Sequence, residues 1–344
     1  MSTVREPATD ETLEQDVPDG RWARLLRGNT LWTFLVLVVL AIGFSVAAPL
    51  AFATPFNVRN ILADSSILLV LAIGMTYVIV SAGIDLSVGS VLVFSGVIAA
   101  NVMVSMGGVT AGWGGIALGT LAGLAAGFAW GVLNGVLVTK ARVPPLIATL
   151  GTLGMALGLA QVITGGSDVS RVPSRLSNLI GYGLALGQVP WLAIVAALIT
   201  VVFALILAFT RFGRHTYATG SNAEAARRVG IAVDRHLIKV YALSGTLAGA
   251  AGVLSLARFS TTTIAGHAFD NLSAIAGVVI GGASLFGGVG TIAGTVIGVL
   301  IPGVLRNGLI ILGAQRFWLD VAVGAVLVLA VMFDQVRRRA RERE

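Results

Sequence analysis

Asp85, Ser87 and Ser90, in the run GIDLSVGS at 83–90, have types and spacing that could carry chemistry. An acid beside an apolar segment is costly unless it is partnered or lies at the surface. The two serines can cap the next helix or hydrogen-bond the carboxylate. In one reading the three residues form a polar element beside a path through a membrane. In the other, which we prefer, they are a structural cap near the inner face, with Asp85 stabilised by the dipole of the helix that follows.

Other polar residues exclude more than they offer. There is no HExxH, no GxSxG, and no acid pair at helical spacing inside an apolar segment, so nothing supports a hydrolase. The lysines are Lys140 and Lys239, and neither lies in a GxxxxGKS/T loop. A chain without that loop needs a separate ATPase if ATP drives it. Cysteines are absent, and His215, His236 and His267 lack ligand spacing, so no metal or cofactor is expected. Asp64, Asp270 and Asp320 fall near the outer ends of apolar segments. None stands in mid-span with a basic partner, which argues against proton or sodium coupling.

The segment RFGRHTYATGSNAEAARRVGIAVDR at 211–235 is charged in an otherwise apolar chain. Ser221 with Glu224 three residues later fits a capping box, and Gly230 can end the helix in a left-handed conformation. A short, capped, basic helix between two membrane spans suggests a surface that a soluble partner grips.

The elements that position these groups are membrane spans. Hydrophobic residues make up 56% of the 344 and charged residues 11%, and mean hydropathy is +0.92. That composition, with repeated long apolar runs, reads as an all-α polytopic membrane protein. About ten spans are expected, near 31–51, 62–82, 86–106, 112–138, 145–165, 190–210, 237–257, 271–287, 291–312 and 317–334. Segments near 83–90 and 283–290 are short and Gly-rich enough to be re-entrant. Residues 1–30 read as a cytoplasmic tail, partly disordered, before a retained first helix. Residues 335–344 form a basic tail that anionic lipid attracts.

Placing the N-terminus inside puts most of the 23 lysines and arginines on the inner side. Only Arg59, Arg171, Arg175, Arg258, Arg306 and Arg316 fall outside. The positive-inside rule then makes both termini and the 211–236 loop cytoplasmic. It also explains the net charge of +7 without nucleic acid.

The chain carries an internal echo. Gly119, Gly123 and Gly127 match Gly290, Gly294 and Gly298 at a constant offset near half the chain length, and Asn134-Gly135 matches Asn307-Gly308 after a short slip. Five spans separate the copies, so they must run in opposite directions, an inverted repeat of the kind transporters use.

The segments GMTYVIVSAGIDLSVGSVL (74–92), RFGRHTYATGSNAEAARRVGI (211–231) and AIAGVVIGGASLFGGVGTIAGTVIGVL (274–300) closely resemble the permease family of ribose/xylose-type monosaccharide ABC importers. The resemblance runs from about 31 to 334 and is not specific to one sugar. It implies a type II-like importer permease in the bacterial inner membrane, paired as a homodimer with a cytoplasmic ATPase and an external sugar-binding protein. It assigns 221–231 as the helix coupling to the ATPase, through Ser221, Asn222, Glu224, Ala225, Ala226, Arg227 and Gly230. The cargo alternatives are a branched-chain amino acid or a nucleoside; the alternative class is an ion-coupled carrier. Candidate pathway residues, from small or hydroxyl types at helical spacing, are Thr149, Thr152, Ser273, Gly277 and Gly281. The competing role for these is helix contact.

Overall fold

The computed structural model describes residues 29–267 and 270–315, with isolated positions between 318 and 332. Its helices are α1 (Asn29–Ala47), α2 (Pro55–Val80), α3 (Val88–Ser105), α4 (Trp113–Thr139), α5 (Pro145–Thr164), α6 (Trp191–Phe209), α7 (Arg211–Ser221), α8 (Ala223–Arg228), α9 (Val233–Phe259), α10 (Asp270–Ile280) and α11 (Ile292–Ile311). A two-residue antiparallel hairpin, Leu184–Ala185 with Val189–Pro190, leads into α6. Seven of these helices, α2 to α6, α9 and α11, are long and apolar enough to cross a membrane, and α1 and α10 are shorter apolar helices. The protein is therefore an all-α polytopic membrane protein. The tail up to residue 28, the expected span at 317–334 with Asp320, and the basic tail at 335–344 lie outside the described residues, apart from isolated positions.

Local chemistry sets the helix ends. Thr54 caps α2, its Oγ1 accepting from Asn57 N at 3.2 Å with Pro55 at the first turn. Pro144 and Pro145 open α5, and Gly165 closes it at φ 63°. The eighth apolar run, expected at 271–287, is helical only to Ile280. Beyond it Gly282, Gly287 and Gly288 take positive φ, and the run turns back instead of continuing.

Burial ranks the helices. The apolar windows of α2 and α9 are each 83% buried, whereas that of α6 is only 17% buried. The first two form the axis and α6 is an outer helix. Helices α4 and α9 approach backbone to backbone: a Cβ on Gly127 would collide with the Gly245 carbonyl, and one on Gly245 with that of Gly127. Lipid offers no hydrophobic drive between helices, so such close small-residue packing supplies the dispersion contacts that hold them.

Side-chain ties fix the directions. Arg258, ending α9, bonds Asp64 at 2.8 Å and Asn60 at 3.2 Å near the start of α2. Asn57, also starting α2, exchanges amide bonds of 2.8 and 2.9 Å with Asn307 near the end of α11. Both α9 and α11 are thus antiparallel to α2. Helix α4 packs Gly123 on Val253 and Gly135 on Ile238, so it opposes α9 and runs with α2. The two segments that echo each other in sequence, on α4 and α11, therefore run in opposite directions, as inverted copies must.

Two helices begin inside the bundle rather than at its ends. Asn271 Nδ2 donates to Leu86 O at 3.0 Å, and a Cβ on Gly89 would come within 2.9 Å of His267 O. The starts of α3 and α10 thus meet. From there α3 runs toward the start of α4, where Met103 lies against Gly119, and α10 runs the other way to Gly281, against Gly294 at the start of α11. At 1.5 Å per residue, the 18 residues of α3 and the 11 of α10 extend about 27 and about 17 Å in opposite directions.

Candidate functional site

Two polar regions stand out, one inside the bundle and one at its end. The inner one centres on Asp85, which is 1% exposed. The chain reaches it through Ala82, held at φ 62°, where the 81–87 segment turns back between α2 and α3. Asp85 Oδ1 accepts from Ser87 N at 3.0 Å and from Ser87 Oγ at 2.6 Å, and Oδ2 accepts from Ser244 Oγ of α9 at 3.1 Å. Ser87 Oγ in turn accepts from Asn134 Nδ2 of α4 at 2.8 Å. Asn134 Oδ1 accepts from Thr152 Oγ1 of α5 at 2.7 Å. The seam continues at Ile84 O, which takes Tyr241 OH at 3.2 Å, with Thr149 Oγ1 3.4 Å away.

Asp85 lies beside the first turns of α5 and the last turns of α4, consistent with a place near one end of the bundle, but it is sealed off from the water that would share its cost. It is interior, and hydrogen bonds from the protein do the work of water. Ser87 does precede α3, but its hydroxyl serves Asp85 and makes no capping bond to the helix. Ser90 is buried on the first turn of α3.

A second interior group escaped the sequence reading. His267 Nδ1 lies 2.6 Å from Asp270 Oδ2, and His267 Nε2 lies 2.8 Å from Ser255 Oγ. Asp270 begins α10 inside the bundle, which corrects its assignment to the outer end of a span. Neighbouring Asp and His four positions or fewer apart were a signal; the false placement of the helix start hid it. Asp64, by contrast, pairs with Arg258 near the end of α9.

The pathway candidates separate. Thr149 and Thr152 are buried in the seam and hold α5 to the 81–87 segment and to α4. Gly277 and Gly281 face α11, where a Cβ on Gly277 would stand 2.8 Å from Val299 Cγ2 and one on Gly281 would strike Gly294 O. In the single chain these four serve helix contact. Ser273 is half-buried on α10.

The outer region is the charged arm. Thr210 caps α7, and Thr216 and Tyr217 anchor it: Thr216 Oγ1 lies 3.0 Å from His236 Nε2, and Tyr217 OH donates to Gly290 O at 2.6 Å. Burial pushes the Tyr217 phenol up, so it stays a donor. The next helix, α8, starts one residue later than the capping box implied. Ser221 ends α7, and Asn222 is the cap, its Oδ1 accepting from Ala225 N at 2.9 Å. Glu224 does not reach back to Ser221; it pairs with Arg228 one turn on. Asn222 is as good a cap as serine, and from its extended backbone its side chain reaches the Ala225 amide, one residue beyond the one Ser221 would cap. Gly230 ends the helix at φ 89°, as expected. Ser221, Asn222, Glu224, Ala225, Arg227 and Gly230 are exposed, whereas Ala226 is 3% exposed and faces inward.

Comparison with known proteins places the whole assembly. A family model described as the permease component of branched-chain amino acid transport systems matches residues 57–332. The ribose import permease protein of Bacillus subtilis is 40% identical over 307 residues, covering 89% of this chain and 92% of the relative. The L-arabinose ABC transporter permease protein of Azospirillum brasilense is 35% identical over 323 residues, covering 94% and 91%. The D-allose transport system permease protein of Escherichia coli is 35% identical over 315 residues, covering 88% and 91%. No solved structure matches. With a polytopic helical bundle, helices that begin inside it, an exposed arm and relatives spanning nearly its full length, the chain belongs to this family of membrane permease components of transport systems.

Proposed function

We propose that the chain forms the translocation pathway of an ATP-driven importer for a monosaccharide, a pentose or hexose. The likeness to ribose, arabinose and allose permeases along nearly the whole chain carries this reading. The family description names branched-chain amino acids, but the sugar permeases reach 35 to 40% identity, and that favours a sugar. The protein is a transport subunit and not an enzyme. Its sequence has no phosphate-binding loop, so hydrolysis belongs to a separate ATPase chain, which meets the exposed face of α8. A second copy of the permease and an external sugar-binding protein complete the system. The membrane is the bacterial inner membrane, with both termini and the α7–α8 arm on the cytoplasmic side.

Among the described residues few charged side chains are buried, and Asp85 and Asp270 already spend their carboxylates on protein partners, so the permease alone should hold sugar weakly, worse than about millimolar, or about −4 kcal/mol. The test is uptake by the assembled system in vesicles, with pentoses, hexoses and leucine as competing cargoes. ATP-dependent uptake of a monosaccharide is the expected result. Uptake of leucine alone, or sugar uptake that needs no ATPase, defeats the reading.

A further inference from the structure

At the foot of the bundle, beside the arm, is a cleft that neither the seam nor α8's outer face uses. It has a volume of about 430 Å³ and lies between the end of α4 (Val138, Thr139), the turn after it (Arg142), α8 (Arg227) and the start of α9 (Asp234, Leu237). Asp234 takes Arg227 Nη2 at 3.1 Å and has Lys140 Nζ at 3.9 Å. Three cations against one carboxylate leave the cleft with an excess of two positive charges. Arg142 has no ion-pair partner among the described residues and is exposed. Its backbone is held at φ 55°, in the left-handed region that a residue with a Cβ rarely adopts. Such strain is kept only where the surroundings impose it, and it is concentrated at clamps and switch regions.

We propose that this cleft is a second docking socket for the ATPase, taking an acidic side chain between Arg142 and Arg227. The inference rests on the importer reading above and adds to it a contact on the turn between α4 and α5. Continuity selects the occupant. Arg227 borders the cleft and stands on α8, so a partner gripping α8 reaches the cleft without leaving the same surface. Charge selects the chemistry: an unpaired guanidinium beside a half-satisfied ion-pair cluster favours a carboxylate, which Arg holds with two parallel bonds. The socket would tie the turn that leads into α5, and so Thr149 and Thr152, to the same partner that moves α8.

The test uses the complete importer in vesicles, comparing wild type, Arg142→Glu and Arg142→Lys. Arg142→Glu is expected to lower ATPase co-purification and ATP-driven uptake about tenfold or more, because like charges then face each other, while membrane level and thermal unfolding midpoint stay at wild type. Arg142→Lys should keep most of both. A photo-reactive residue placed at 142 should cross-link to the ATPase. If wild type binds the ATPase and transports while Arg142→Glu does the same, the socket is wrong and the importer reading stands. If wild type neither binds an ATPase nor responds to ATP, the importer reading itself fails. If omission of anionic lipid lowers wild type to the level of Arg142→Glu, the cleft holds a lipid headgroup and the proposal falls.

Discussion

The seam around Asp85 and the α7–α8 arm were both flagged by polar residues in an apolar chain, yet burial gives them opposite meanings. In the seam, Asp85, Ser87, Ser244, Asn134 and Thr152 are shut away from water, and their side-chain bonds link different segments of the bundle as well as near neighbours. Together they join the 81–87 segment, α9, α4 and α5. On the arm, Glu224 and Arg228 pair with each other one turn apart, with side chains 73% and 77% exposed. An unmade bond inside costs the full desolvation of the group, while an exposed ion pair contributes about 0–1 kcal/mol. The same residue types therefore hold the fold in one place and present a surface in the other.

The contrast breaks most visibly where the interior is tightest. Gly281→Trp is expected to abolish folded protein, since the indole has no room against Gly294. Membrane level and gel filtration in detergent check this. A normal level with blocked uptake would show instead that Gly281 faces the transport path.

Asp85→Ala comes next. It strands the Ser87 amide, the Ser87 hydroxyl and the Ser244 hydroxyl, at about 1–3 kcal/mol for each buried donor left unpaired. The thermal unfolding midpoint of the purified permease should fall by many degrees. An unchanged midpoint would mean that the seam is wetter or looser than its geometry.

Glu224→Lys sharpens the other side of the comparison. Uptake by the complete importer should be lost, yet the midpoint should stay within the shift that about 0–1 kcal/mol allows. A large drop in midpoint would make the arm structural and erase the distinction.

The smallest effect is expected at the cap. Asn222→Ala removes the bond to Ala225 N and should cost about 1 kcal/mol. Hydrogen exchange should quicken at 223–228 and leave α7 unchanged. Equal quickening at Ser221→Ala would restore the capping box that the geometry rules out.

Much of the architecture was legible. The expected spans at 145–165 and 291–312 fall within a residue of α5 (Pro145–Thr164) and α11 (Ile292–Ile311), because Pro and Thr signals mark their starts locally. The Gly-rich segments near 83–90 and 283–290 read as possible re-entrant turns, and the chain is non-helical at 81–87 and 281–291. Gly230 as a helix stop needs only its own backbone freedom. The cap was misplaced by one residue because Ser221 and Asn222 are both good caps, and the choice between them depends on where α7 ends.

Membrane class, the positions of most apolar helices, the antiparallel sense of the echoed segments and the charged arm were readable from residue order alone, because hydropathy, periodicity and punctuation act over a few turns of chain. Packing alone brought the starts of α3 and α10 together inside the bundle, buried Asp85 against Ser244, and gave His267 both Asp270 and Ser255. It also turned Gly277 and Gly281 toward α11 and Ala226 inward. Those outcomes depend on which helix lies against which, and a side chain's cost in lipid or protein depends on the neighbour it meets rather than on the residues beside it in sequence.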